Sequence, residues 1–221
     1  MKDLCILIPS YNEGKTIGGI VEDVIKRGFR AVIIDDGSTD NTAQAAESAG
    51  GIVLKHPSNR GKGASIRQGF DYVLKEGLGS ALIMDGDGQH ETSDINKFIT
   101  KADAGEADII IGNRMLDTSS MPAIRKITNK FMSYMISRLC RQNIPDSQCG
   151  FRLIKRRVLE TVELESSNYE IESELLIKAA RKGYRIGSVP IKTVYSGEVS
   201  YINPVVDTMR FFALIFRMCL K

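Results

Sequence analysis

Leu4-Cys5-Ile6-Leu7-Ile8 is an apolar run too short for a helix and closed by Pro9, which predicts a strand covered on both faces. Beyond Asn12-Glu13-Gly14-Lys15 the spacing changes. Ile17, Ile20, Val21, Val24 and Ile25 recur at helical intervals and predict a helix over residues 16–26 with those side chains turned inward. The alternation then repeats. Residues 31–34 predict a second strand, cut off by Asp35-Asp36-Gly37-Ser38 and followed by a helix over 39–49, and residues 52–55 predict a third strand. The glycine-rich stretch 59–63 opens a helix through Leu74, and residues 81–84 and 108–111 predict two more strands. Strands alternating with helices imply right-handed crossovers, hence an α/β fold with a Rossmann-like, mostly parallel central sheet and helices on both faces.

The second half is less regular. Helices are predicted over 124–139, 171–182 and 204–220, and a strand over 189–195. No repeat, low-complexity segment or Pro/Gly/Ser-rich linker divides the 221 residues, which predicts one catalytic-size domain over 1–203 and an appended helix over 204–221. The balance of 30 Lys+Arg against 27 Asp+Glu, a net charge of +3, argues against a dedicated nucleic-acid binder. No apolar run reaches the roughly 18 residues of a membrane span, and the first residues do not read as a signal peptide, so a cytoplasmic protein is expected. Cys5, Cys140, Cys149 and Cys219 lack metal-binding spacing and have only His56 and His90 to help them; Cys5 reads as a core residue.

In an open α/β sheet a ligand sits beyond the carboxyl ends of the strands. Those positions hold Pro9-Ser10-Tyr11-Asn12-Glu13, Asp35-Asp36-Gly37-Ser38-Thr39-Asp40, Asp85-Gly86-Asp87-Gly88-Gln89-His90 and Gly112-Asn113-Arg114. Asp85 and Asp87, two residues apart, can present hard oxygens to one side and suit Mg²⁺ or Mn²⁺, with Gln89 and His90 as further candidates; an acidic glycine turn has the same appearance. Asp35-Asp36-Gly37-Ser38 fits either a turn in which Thr39 or Asp40 caps the next helix, or an Asp that accepts hydrogen bonds from a nucleoside. Asn59-Arg60-Gly61-Lys62-Gly63 resembles a phosphate cradle, but neither the P-loop nor the dinucleotide fingerprint spacing is present.

Taken in order, I-P-S-Y-N-E, D-D-G-S-T-D, N-R-G-K-G, M-D-G-D-G-Q-H, G-N-R and D-S-Q-C-G-F-R resemble a family 2 glycosyltransferase, closest to the dolichol- and polyprenyl-phosphate sugar transferases such as dolichol-phosphate mannose synthase. The resemblance spans residues 8 to about 190. It implies a GT-A fold, a nucleoside-diphosphate sugar donor and a divalent metal. By matched position it implies Pro9, Tyr11, Glu13 and Asp36 as nucleoside contacts, Asp85, Gly86, Asp87 and Gln89 at the donor, with Asp85, Asp87 and Gln89 holding metal and diphosphate, and Arg114 serving phosphates. A polyprenyl or dolichyl phosphate acceptor is already ionised and needs cations to position it, for which Arg114 and Arg125 are the candidates, with Lys126 and Lys130 behind them. A hydroxyl acceptor would instead need a base, and Glu172 occupies the family position, where it also suits the first turn of a helix. Asp87, Arg114 and Glu172 are thus the expected catalytic set. Asp146 is expected to help position the sugar or acceptor, Gly150 to permit close backbone approach, and Cys149 to be a packed small residue.

One stretch departs from the mannose synthases. Residues 193–201 read T-V-Y-S-G-E-V-S-Y, without the Arg and Lys those enzymes carry there, which argues against GDP-mannose; Tyr201 stands where bacterial relatives place a His. On the terminal helix Arg210, Arg217 and Lys221 form one stripe, with Phe211, Phe212, Ile215, Phe216 and Cys219 around it. That pattern suits a lipid surface, a core helix or an oligomer contact. The expected protein is an inverting transferase at the cytosolic face of a membrane, held there peripherally, by an anchoring partner or as a homo-oligomer. A transferase acting on a saccharide hydroxyl and a non-catalytic nucleotide-sugar binding module are the rival readings.

Overall fold

The computed structural model describes residues 3–119, 121–192 and 204–220. The segment 193–203, with Tyr201 and the departure from the mannose synthases, lies outside them. Four parallel strands come first: β1 (Leu4–Ser10), β2 (Arg30–Asp35), β3 (Ile52–Lys55) and β4 (Ser80–Ile83). They are joined by α1 (Ile17–Lys26), α2 (Thr42–Ser48) and α3 (Lys62–Lys75). A short 3₁₀ turn (Thr92–Asp94) leads into α4 (Ile95–Asp103), then β5 (Ile109–Asn113), α5 (Ala123–Cys140), β6 (Arg152–Lys155), α6 (Arg156–Leu159), α7 (Ile171–Arg181), β7 (Ile186–Pro190) and α8 (Pro204–Leu220).

The sheet order is β3-β2-β1-β4-β6-β5-β7. Only β6 runs against its neighbours, pairing antiparallel with both β4 and β5, while β5 and β7 are parallel. Chain order therefore reverses direction across the sheet at β1 and β4, which opens a crevice at their carboxyl ends. Strand alternation divides the core. Leu4, Ile6 and Ile8 face α1 and α4, whereas Cys5 and Leu7 face the layer that contains α3, α5, α7 and α8. Both faces are covered, which is why the strand sequences read as unbroken apolar runs.

Several expectations change. Ile25, expected inward on α1, is an exposed residue at the last turn, because the helix end leaves the sheet there. The strand expected at 189–195 begins earlier, at Ile186, and its described part ends at Pro190. β6 and α4 were not anticipated. On α8, Phe211 and Ile215 join Leu214 and Met218 in the core, Arg217 reaches Ser166 Oγ at 3.4 Å, and Met209, Phe212 and Phe216 stay exposed. Deleting this helix would therefore strip the core as well as any surface it forms. Among the described residues no helix is long and apolar enough to cross a membrane.

Buried Glu174 on α7 ties the chain segment before the helix to its first turn. Its carboxylate accepts the backbone N–H groups of Glu165 (3.1 Å) and Ser166 (2.8 Å) and pairs with Lys178 at 2.6 Å. Burial by itself would raise its pKa; Lys178 and the hydrogen bonds outweigh that and hold it below the ordinary 4.5. A depressed carboxylate pKa stabilises the fold above the unfolded-state value, and the stabilisation is lost as pH falls through the folded one. Glu174→Gln is expected to cost about 2 kcal/mol in urea unfolding at neutral pH, with the gap to wild type narrowing below the ordinary carboxylate pKa. A gap independent of pH would contradict this account.

Candidate active site

The loops after β1 and β2 are stitched together. Asn12 adopts a left-handed conformation (φ 57°), its N–H donates to Ser38 Oγ at 2.9 Å, and its side-chain oxygen accepts the Thr39 N–H at 2.9 Å. Glu13 N–H donates to Thr42 Oγ1 at 2.8 Å, and Asp40 accepts the Thr42 N–H at 3.0 Å, although the N-cap of α2 is Asn41 and neither Thr39 nor Asp40 takes that position. These bonds hold Pro9, Tyr11 and Glu13, all half-buried, at the mouth of the crevice.

Asp36 is buried and already engaged within the chain. Its carboxylate lies 2.6 Å from His56 Nδ1 and accepts the N–H groups of Arg60 and Gly61, each at 2.8 Å. It thereby clamps the Asn59–Gly63 loop. Gly61 has φ 90° and passes so close to Ser167 that a Cβ would lie 2.4 Å from the carbonyl oxygen. Only glycine meets both conditions at once. The clamp delivers Lys62 to the start of α3, pointing into the crevice.

Lys62 is the functional candidate that residue-by-residue reading of the sequence passed over. Its ammonium lies 2.6 Å from Asp85 Oδ1 and 2.8 Å from Glu172 Oε1, and 5.6 Å from the Tyr169 ring centroid. Burial would favour the neutral amine, but the two carboxylates outweigh it and raise the pKa of Lys62. On the other side of Asp85, His90 Nε2 approaches Oδ2 at 3.4 Å, with its ring 5.0 Å from that of Phe151. Burial alone would raise the Asp85 pKa; Lys62 and His90 prevail and lower it. Asp87 goes the other way. Burial and the neighbouring Asp85 charge raise its pKa, against a hydrogen bond from Gln89 N–H to Oδ1 at 3.0 Å.

Glycines make this acidic turn possible. A Cβ on Gly86 would lie 2.6 Å from Ser10 Oγ, and one on Gly150 would lie 2.4 Å from Asp85 Oδ2. The close approach expected of Gly150 is thus to the Asp85 carboxylate. Cys149 is fully buried, its thiol pushed up to about 12 chiefly by desolvation, which fits packing and not nucleophilic chemistry.

The remaining cations are arranged around the loop before β6. Arg114 grips fully buried Asp146 in a two-pronged pair, Nε to Oδ2 at 2.8 Å and Nη2 to Oδ1 at 2.9 Å. Arg152, also fully buried, donates to the carbonyl oxygens of Cys149, Ser147 and Glu172, each at 2.6 Å, and to Glu172 Oε2 at 3.1 Å. Glu172 therefore meets Lys62 through one oxygen and Arg152 through the other. Arg125 sits in the first turn of α5, half-buried. Through Lys62 the acidic turn meets Glu172, so that an ion chain runs Arg152–Glu172–Lys62–Asp85–His90.

The glycosyl transferase family 2 profile matches residues 5–163, which includes β1 through β6 and the acidic turn. The chain belongs to glycosyltransferase family 2. A UDP-N-acetylglucosamine–dolichyl-phosphate N-acetylglucosaminyltransferase of Methanococcus voltae is 30% identical over 218 residues, covering 88% of this chain and 87% of that protein. Polyprenol monophosphomannose synthase of Mycolicibacterium smegmatis is 30% identical over 200 residues, 84% of this chain and 75% of the other. Among solved structures, glucosyl-3-phosphoglycerate synthase of Mycobacterium tuberculosis, crystallised with Mn²⁺, uridine diphosphate and phosphoglyceric acid, superposes with a TM-score of 0.72 at 14% identity. That superposition covers 98% of this chain and 77% of the synthase. This family 2 enzyme has the GT-A fold.

Proposed function

We propose that this family 2 glycosyltransferase moves a sugar, with inversion, from a nucleoside diphosphate to a polyprenyl or dolichyl phosphate in a metal-dependent reaction. The observation that carries the acceptor class is the engagement of Glu172. The carboxylate best placed by sequence to deprotonate a hydroxyl has its two oxygens on Lys62 and Arg152. An acceptor that arrives ionised does not require that base. The relatives named for transfer to dolichyl phosphate and for polyprenol monophosphomannose synthesis support the same class.

The acidic turn offers hard oxygens to a divalent cation such as Mg²⁺ or Mn²⁺, which at Asp85 would take the place of the Lys62 ammonium and release it toward the donor phosphates. Asp85 and Asp87 supply carboxylate oxygens close enough for the charge of one to raise the pKa of the other, a repulsion that a shared cation relieves. A cation held by Asp85 and Asp87, with Gln89 beside them, would keep positions for donor phosphate oxygens, because two carboxylates do not fill the coordination of either ion. When bound, the metal neutralises charge that builds on the departing nucleoside diphosphate. The chain's own residues do the positioning: Pro9, Tyr11, Glu13 and Asp36 on the nucleoside side, Lys62 beside the diphosphate, Arg114 and Arg125 on the acceptor phosphate. Asp146 holds the Arg114 guanidinium in a fixed plane.

A panel of UDP and GDP sugars with Mg²⁺ or Mn²⁺, assayed with and without polyprenyl phosphate, tests this reading. Transfer to the lipid phosphate is expected from at least one donor; no binding of any donor overturns it. Glu172→Gln is expected to lower transfer to the lipid phosphate only a few-fold, and a loss of about 10²-fold or more would favour the hydroxyl-acceptor reading.

A further inference from the structure

Between Asp117 and Asp146 the chain contains Arg125, Lys126, Lys130, Arg138 and Arg141 and no acidic residue at all. α5 occupies the centre of this stretch and has two dissimilar faces. Asn129, Met132, Ser133, Ile136 and Cys140 are buried. Ile124, Ile127, Phe131 and Tyr134 recur at helical intervals on the opposite side and are 79%, 69%, 52% and 65% exposed. Single exposed apolar residues are ordinary, but four on one stripe form a patch that needs a partner. Arg138 continues the same stripe and Lys130 borders it, both exposed. An apolar band whose own helix carries only positive charge matches the surface of an anionic bilayer, where apolar side chains enter the acyl boundary and basic ones meet headgroups.

The geometry points to the outer face of α5 as a docking surface for anionic membrane lipid. This deepens the lipid-phosphate reading above and rests on it for its purpose. The inner face of the same helix grips the loop at the site: Ser133 Oγ accepts the Ser147 N–H at 2.9 Å and lies 3.2 Å from Ser147 Oγ, one residue from the Asp146 that holds Arg114. One helix thus connects the bilayer to the side of the crevice assigned to the acceptor phosphate. The terminal helix also leaves Met209, Phe212 and Phe216 exposed while its Phe211, Leu214, Ile215 and Met218 pack in the core, but none of its described residues grips the loop that holds Asp146.

Flotation of the full chain with phosphatidylcholine vesicles, with and without phosphatidylglycerol and without any polyprenyl phosphate, tests the surface. The wild type is expected to float with the anionic vesicles and to be released by salt. The double variant Ile127→Asp with Phe131→Asp is expected to partition about tenfold less or weaker. Arg138→Glu, a change at an exposed position, is expected to bind several-fold less. Transfer to a short-chain, water-soluble polyprenyl phosphate should be unchanged in the double variant, which also verifies its folding. Absence of wild-type flotation, or equal flotation of all three proteins, overturns the proposal. So does a wild-type dimer in sedimentation velocity that the double variant converts to monomer with flotation intact. Flotation that follows the expected order while no lipid phosphate accepts sugar supports the surface and overturns the assigned acceptor.

Discussion

Asp87→Ala is expected to lower sugar transfer by roughly 10³-fold or more, the scale of losing a principal stabiliser of a departing anion. The same change should leave the protein at least as stable as wild type. Burial and Asp85 raise the Asp87 pKa, so its ionisation opposes folding, and stability attributable to it is lost as pH rises through the folded value. Alanine removes that penalty. The paired measurement is donor-dependent transfer and thermal unfolding at neutral pH, each without and with added Mn²⁺. In wild type, Mn²⁺ should raise the unfolding temperature less as pH falls through the elevated Asp87 pKa, since the protonated carboxyl is a poor ligand. Near wild-type transfer by the variant would remove Asp87 from the mechanism.

Arg152→Met is expected to cost about 3–5 kcal/mol, because it removes the cation from a fully buried site and leaves polar partners behind. Three carbonyl oxygens would lose their donor, and Glu172 would keep only Lys62. Urea unfolding followed by circular dichroism reads this directly. A loss below about 1 kcal/mol would mean that water or backbone relaxation satisfies these groups. Lys in place of Arg152 should recover only part of the loss, because one ammonium cannot reach four acceptors in the guanidinium plane.

The strand ends were legible in the sequence because β1, β2 and β4 are buried on both faces and flanked by polar turns. The place of the acidic groups was legible for the same reason: Asp35 and Asp36 stand at the end of β2, and Asp85 and Asp87 in the turn after β4. β6 was obscured by Arg152, a charged residue whose burial makes sense only once the carbonyl oxygens of Ser147, Cys149 and Glu172 surround it. α4 buries Ile95, Phe98 and Ala102, with Ile99 half-buried beside them, a short pattern next to its polar face. Local spacing also could not pair Lys62 with Asp85 and Glu172. Its N-R-G-K-G context was the available signal, yet the three residues meet only when α3, the turn after β4 and the start of α7 converge.

The reversed strand β6 has a consequence for the order in which the chain assembles. β3, β2, β1 and β4 can pair as soon as residue 83 has emerged, but the outer edge of β4 then waits for residues 152–155. β5 waits with it, since its partners are β6 and the later β7. During synthesis the first half of the sheet therefore presents an unpaired parallel edge across some seventy residues of growing chain. Such an edge is open to strand addition from a neighbouring nascent chain. Four residues then close it from both sides, so a lesion in β6 would be felt as failed maturation before it was felt as lost catalysis.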